Sequence, residues 1–191
     1  GIPTGNSVGF KCPTSDLDLV DGSGTINIKD LRGKIVIINF WGTWCGPCKQ
    51  EFPHLQKAYE LYGDKIEVIA MNSYPYETAE DVANFKETNG YTFPMVKVDS
   101  AWNTAMGVSS YPTSVFIDRY GVICLIQKGT VTEEGIFEGA FNHFTSENYE
   151  QKLVNKLEDL DTLEYPVGHK RNPMETYGAI GSFQIKVEAG K

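Results

Sequence analysis

Basic residues are scarce in this 191-residue chain: 17 Lys and Arg against 25 Asp and Glu, a formal net charge of -8. An acidic surface repels phosphates, so nucleic acid and anionic membrane surfaces are poor partners. Long apolar runs are missing; stretches such as Ile35–Ile38 fall far short of the roughly 20 residues that span a bilayer. The first residues, Gly1-Ile2-Pro3-Thr4-Gly5-Asn6, have neither the basic nor the apolar region of a signal peptide. The chain opens on Gly rather than Met and is expected to be a processed or excised piece. Cysteine is sparse too, with four residues, Cys12, Cys45, Cys48 and Cys124. That is too few for a disulfide-stapled scaffold. A hydrophobic fraction of 41% suffices for a packed core, so the fold does not need its cysteines.

Apolar patterning predicts one α/β domain over residues 1–145, with a lead-in and hairpin at 1–33 and a core at 34–145. Leu17–Val20 and Thr25–Ile28 flank Asp21-Gly22-Ser23-Gly24 and read as a hairpin; Lys29–Gly33 reads as a turn. Ile35–Trp41 is apolar on both faces, the mark of a buried central strand. A helix follows over Gly46–Tyr62, with Pro53 expected to kink it. Further strands are predicted at Ile66–Met71, Met95–Val98, Thr113–Asp118 and Val122–Gln127. Helices are predicted at Thr78–Asn89, Ala101–Met106 and Thr132–Phe144. Thr78 and Asp81 form a capping-box start for the second helix, and Gly90 a C-cap. The order implies a mixed central sheet with helices on both faces, three layers in all. Residues 146–191 form an extension: a polar helix at 147–163, then a Gly- and Pro-containing tail with a short strand at 182–188.

The chemistry-bearing motif is Trp44-Cys45-Gly46-Pro47-Cys48-Lys49, at a strand-to-helix junction. A cysteine at a helix N-terminus faces unpaired N–H groups and the positive end of the dipole, which favour thiolate. Cys45 is therefore the expected nucleophile of disulfide exchange. Cys48, one turn further in, is close enough to close a small disulfide ring and resolve a mixed disulfide. Pro47 suits the first turn, where a missing N–H costs nothing. Trp44 forms an apolar wall beside the pair. A zinc site would need two more ligands at workable spacing, and His54, His143 and His169 are isolated. A c-type haem needs His after the second cysteine, where Lys49 stands. No metal or cofactor is expected.

Phe40 through Pro53, with Gly107-Val108-Ser109-Ser110-Tyr111-Pro112-Thr113, closely resembles thioredoxins, and among them the extracytoplasmic TlpA/ResA-type reductases. The resemblance covers roughly residues 10–145. It implies a thioredoxin-like fold in which residues 78–98 are an αβ insertion. It also implies a cis-proline at Pro112 that faces the dithiol, and Cys45 and Cys48 as nucleophile and resolving thiol. Trp44, Gly46, Pro47, Tyr111 and Pro112 are the expected substrate-facing residues. Asn39 stands where thioredoxins carry a buried Asp that moves the resolving thiol's proton. Some TlpA/ResA-type proteins use a Glu after the next strand, which makes Glu77 the candidate; its ordinary reading is a solvated acid in the first turn of a helix.

The resemblance further implies a reductase of disulfide-containing proteins outside the cytoplasm, such as apocytochrome c. Electrons would come from a membrane thiol carrier, and a membrane anchor or lipid would hold a monomeric protein. The Gly-Pro pair implies a reducing potential, nearer roughly -270 mV than -120 mV. The competing reading is a redox-inactive module that binds a partner or Cu(I) through its thiolates. A peroxidase reading finds no matching sequence around the cysteines. Among other residues, Cys124 reads as a buried hydrophobe, and Cys12 as a free thiol or its partner. Trp41 reads as core. Lys49, Glu51 and His54 read as surface residues, and Tyr74, Tyr76 and Trp102 as packing or groove lining.

Overall fold

The computed structural model describes residues 4–146 and Tyr149. At its centre lies β3 (Ile35–Phe40), buried at every position and flanked on both sides. Its β-branched side chains fill both faces of the pleat. The five-stranded sheet runs β5 (Met95–Lys97), β4 (Ile66–Asn72), β3, β6 (Thr113–Ile117), β7 (Ile123–Lys128). The first three strands are parallel, and β6 and β7 are antiparallel additions, giving the mixed sheet that the pattern implied.

Alternation along β3 divides the core. Ile35 and Ile37 join Phe52, Leu55, Val68, Phe116 and Phe141 on one face, under α1 (Gly46–Tyr62), α2 (Ala79–Asn89) and α4 (Ile136–Phe144). Val36, Ile38 and Phe40 join Leu17, Ile28, Ile69, Val96 and Met106 on the other. That second face is covered by α3 (Ala101–Met106) and by the hairpin of β1 (Asp16–Asp18) and β2 (Thr25–Asn27). Asn39 falls on the first face by the same alternation, toward α1.

Two sheet edges would otherwise invite pairing with other chains. The hairpin covers one: the Val20 N–H donates to the Met95 carbonyl at 3.0 Å. The lead-in covers the other, through Gly9 N–H to the Ile123 carbonyl at 2.9 Å and Cys12 N–H to the Gly121 carbonyl at 2.9 Å. The lead-in is thus part of the sheet's margin, a role its irregular composition concealed.

The inserted segment is locked by rings. Trp41 lies 4.8 Å from Phe52 and 4.9 Å from Phe85 of α2, while Phe52 lies 5.4 Å from both Tyr91 and Phe93. Helix α2 has the expected capping box of Thr78 and Asp81 and a left-handed Gly90 cap.

Most strand bounds shift by a residue or two from the sequence pattern, and three differences have a local cause. The first turn of the expected final helix is absent: α4 begins at Ile136, because Gly135 at φ 85° cannot continue a right-handed helix backwards. Residues Ile28–Leu31 form a 3-10 turn, capped by the Asn27 side chain accepting from the Lys29 N–H at 2.9 Å. Val122 lies outside β7, since the Asp118 carboxylate accepts from the N–H groups of Tyr120 (2.8 Å) and Val122 (3.1 Å) and holds that stretch as a turn. The expected helix at 147–163, the strand at 182–188 and the extension as a unit lie outside the described residues.

Phe52 joins the dithiol helix to this aromatic cluster. Replacing it (Phe52→Ala) is expected to cost about 3–5 kcal/mol, read from urea unfolding followed by circular dichroism.

Candidate functional site

Strand β3 ends at Phe40, the buried Trp41 follows, and Gly42–Thr43–Trp44 turns the chain into α1. Cys45 is the N-cap of that helix, and its sulfur accepts from the Cys48 N–H at 3.2 Å. Pro47 occupies the first turn, which carries no acidic side chain. Cys45 and Cys48 are joined as a disulfide, with Cα atoms 5.3 Å apart. Cys45 is 3% exposed and Cys48 fully buried, so an incoming group meets Cys45 first. When the bond is reduced, the helix N-terminus and its free N–H groups stabilise a thiolate at Cys45.

The loop conformation depends on Gly42. A Cβ there would lie 2.6 Å from the Trp44 indole nitrogen, so the ring rests directly on the bare backbone. Trp44 remains 55% exposed beside the disulfide.

In the loop before β6, the Tyr111–Pro112 peptide is cis. Tyr111 is fixed through its hydroxyl, which lies 3.0 Å from Ser73 Oγ and accepts from Asn103 Nδ2 at 3.0 Å; Ser73 Oγ also donates to Asn103 Oδ1 at 2.6 Å. The Trp44 and Tyr111 rings are 6.2 Å apart.

Glu51 is a correction to the sequence reading. It is not a solvated helix residue but fully buried. Positions 48, 51, 52 and 55 share the inward face of α1, so the carboxylate points at the core one turn beyond Cys48. Asn39 Nδ2 donates to it at 2.7 Å and to Ser114 Oγ at 2.9 Å, and the Val131 N–H donates to its second oxygen at 2.9 Å. Burial pushes the Glu51 carboxyl up from 4.5 to about 7, against the opposing pull of the Val131 and Asn39 hydrogen bonds. The helical spacing from Cys48 was the available signal for this residue. An acid on a helix otherwise reads as solvated, and that default hid it.

Glu77 sits elsewhere. It precedes the α2 cap, and its carboxylate accepts from the Thr43 N–H at 2.9 Å, the Thr43 hydroxyl and the Asn72 side-chain amide. It anchors the loop before Cys45 from outside, while Glu51 lies in the interior with Asn39. Lys49, Gly46 and Pro47 are exposed and His54 half-buried. Trp102 packs against the hairpin-side core. Cys12 and Cys124 are both buried and free, in the separate clusters on opposite faces of the sheet, so they do not pair. Burial pushes the Cys12 thiol up to about 12 and Cys124 well above its usual range, leaving both unreactive.

Two outcomes are expected. Gly42→Ala overpacks the Trp44 contact at a cost of about 1–3 kcal/mol and displaces the indole, seen as a shift in tryptophan emission and slower protein-disulfide exchange. Glu51 gives a pH signature. From about 4.5 to about 7 the folded protein retains a proton that the unfolded chain has lost. Stability therefore falls as pH rises through that window, and Glu51→Gln removes this slope in urea titrations of the oxidised protein.

Residues 8–126 match the AhpC/TSA family. The thioredoxin-like protein YneN of Bacillus subtilis is 38% identical over 127 residues, 66% of this chain and 74% of its own. A thiol-disulfide oxidoreductase ResA, from Geobacillus thermodenitrificans, is 38% identical over 136 residues, 70% of this chain and 76% of its own. Among solved structures, the exposed lipoprotein thioredoxin of Streptococcus pneumoniae superposes with a TM-score of 0.56 at 28% identity, over 62% of this chain and 91% of its own. With a Cys45–Cys48 disulfide at a helix N-terminus on a mixed five-stranded sheet, the chain belongs to the AhpC/TSA family and is a thioredoxin-like thiol–disulfide oxidoreductase.

Proposed function

We propose that this protein reduces disulfides of polypeptides outside the cytoplasm, with Cys45 as nucleophile, Cys48 as resolving thiol and Glu51 as the acceptor of the Cys48 proton. The observation that carries this reading is the arrangement along α1. Cys45 caps the helix, Cys48 is sealed behind it, and a buried carboxyl with an affinity for protons near neutrality stands one turn on. Glu77, the acid suggested by the resemblance, holds the loop before Cys45 through Thr43 and Asn72; the choice of Glu51 rests on its place on the inward face of α1, one turn from Cys48.

The reaction runs in two exchanges. The Cys45 thiolate attacks one sulfur of a substrate disulfide; that bond breaks, the other sulfur leaves as a thiolate and takes a proton from solvent. A mixed disulfide now links Cys45 to the substrate. Cys48 gives its proton to Glu51 and attacks the Cys45 sulfur, releasing the second substrate thiol. Two electrons have passed to the substrate, and the protein holds the Cys45–Cys48 disulfide. A thiol carrier in the membrane would reduce it again. Trp44, Gly46, Pro47, Tyr111 and Pro112 surround the point of attack; the backbone beside Pro112 would pair with the substrate chain.

The reducing direction rests on the Gly46-Pro47 pair. The location outside the cytoplasm, with an anchor or lipid at the membrane, rests on similarity to a pneumococcal protein named as an exposed lipoprotein. Among the described residues no helix is long and apolar enough to cross a membrane. An apocytochrome c is one substrate of this kind, and the protein is proposed to act as a monomer.

Cys48→Ser is expected to accumulate mixed disulfides through Cys45, identified by mass spectrometry after non-reducing electrophoresis. A redox titration against glutathione should give a midpoint nearer roughly -270 mV than -120 mV; a value above the glutathione range would reject the reducing role.

A further inference from the structure

Beside the dithiol, a row of rings extends outward from Trp44 and Tyr111. Trp44 is 5.1 Å from Tyr74, Tyr74 is 5.4 Å from Tyr76, and Tyr111 closes the group at 6.2 Å from Trp44 and 6.5 Å from Tyr74. Tyr76 is 84% exposed at the outer end. The sheet contributes none of these rings. Two come from the stretch between β4 and α2, one from the loop before Cys45 and one from the loop before β6.

The backbone that carries the row is tied down at several points. Pro75 fixes the backbone between Tyr74 and Tyr76, in a turn closed by the Glu77 N–H on the Tyr74 carbonyl at 3.4 Å. Asn72 Oδ1 accepts from the Tyr74 N–H at 3.2 Å. Glu77 ties the far end of this turn to Thr43, and Ser73 ties its near end to Tyr111. Rings presented this way lose little freedom when something stacks on them. Trp44 and Tyr76 are exposed and Tyr74 and Tyr111 half-buried, so the row offers apolar ring surface next to the dithiol.

We propose that this row is a selectivity platform for the residue flanking the attacked cysteine, and that it favours unfolded polypeptides carrying an aromatic or large apolar side chain there. This rests on the proposed disulfide-reductase reading. Cys45 lies next to Trp44 at the inner end of the row, so a chain that brings a sulfur to Cys45 runs its neighbouring side chains onto the rings. Folded proteins keep such side chains inside, and unfolded ones offer them. The occupant is therefore an extended, unfolded segment of the substrate.

The test uses the full chain, reduced, and three disulfide-cyclised peptides that differ only in the residue flanking the attacked cysteine: Phe, Ser or Lys. Exchange is followed by stopped-flow tryptophan fluorescence. The Phe peptide is expected to react with a kcat/KM roughly two- to tenfold above the Ser peptide, the range for one aromatic pair. Tyr76→Ser should reduce that ratio toward one, as should Tyr74→Ser. The midpoint potential of the Cys45–Cys48 pair in each variant should match the unmodified protein, which separates loss of the platform from loss of the fold. Equal rates for Phe and Ser peptides overturn the proposal. So does a ratio that survives both substitutions, or a preference for the Lys peptide, which would make the rings a cation site. If no peptide is reduced at all, the reductase reading fails and the platform falls with it; if all three are reduced equally, only the platform fails.

Discussion

The hydrogen bond from Asn39 to Glu51 lies at the centre of a buried polar network. It ties the central strand to the dithiol helix. Through Ser114 it reaches the antiparallel half of the sheet, and through the Val131 N–H the loop that leads into α4. A carboxyl in this position is costly to bury as an anion, so it is held between charge states. Removing either partner would leave a polar group stranded in the core. The same constraint that organises the interior thus supplies an ionisable group behind the buried Cys48.

Around that interior contact, the outer rim of the site is built from loops. Glu77 grips Thr43, Ser73 and Asn103 grip the Tyr111 hydroxyl, and Trp44 rests on Gly42. All of these loops sit at the same end of the sheet, after β3 and β4 and before β6. A rigid, fully buried strand fixes where the helix starts, and polar contacts among the loops fix what surrounds it. The scaffold sets where the dithiol stands, and the loop contacts set the rim around it.

The dithiol, its helix and the central strand were legible from residues alone. Ile35–Phe40 is apolar on both faces, Pro47 falls in a first turn, and Phe52, Leu55 and Tyr59 keep helical spacing. The capping box at Thr78 and Asp81 and the cap at Gly90 were equally local, and they formed as expected. Glu51 was misread because a charged residue on a helix is solvated far more often than buried. Gly135 truncates α4 through a left-handed backbone that no neighbouring residue announces. Cys12 and Cys124 had no local pattern to say whether they meet.

By itself the sequence determined the reacting group and its immediate setting, because helix polarity, capping and strand patterning act within a few residues. Tertiary structure decided where the two nearby acids stand. Glu51 and Glu77 are separated along the chain only by ordinary helix, strand and turn, yet the pleat of β3 turns Asn39 inward to meet one while Thr43 and Asn72 hold the other outside. It also decided that Cys12 and Cys124 stay apart, since the sheet stands between their clusters. Side-chain partners across 12 or 75 residues are set by how faces pack, and face packing is a property of the whole sheet rather than of any window of sequence.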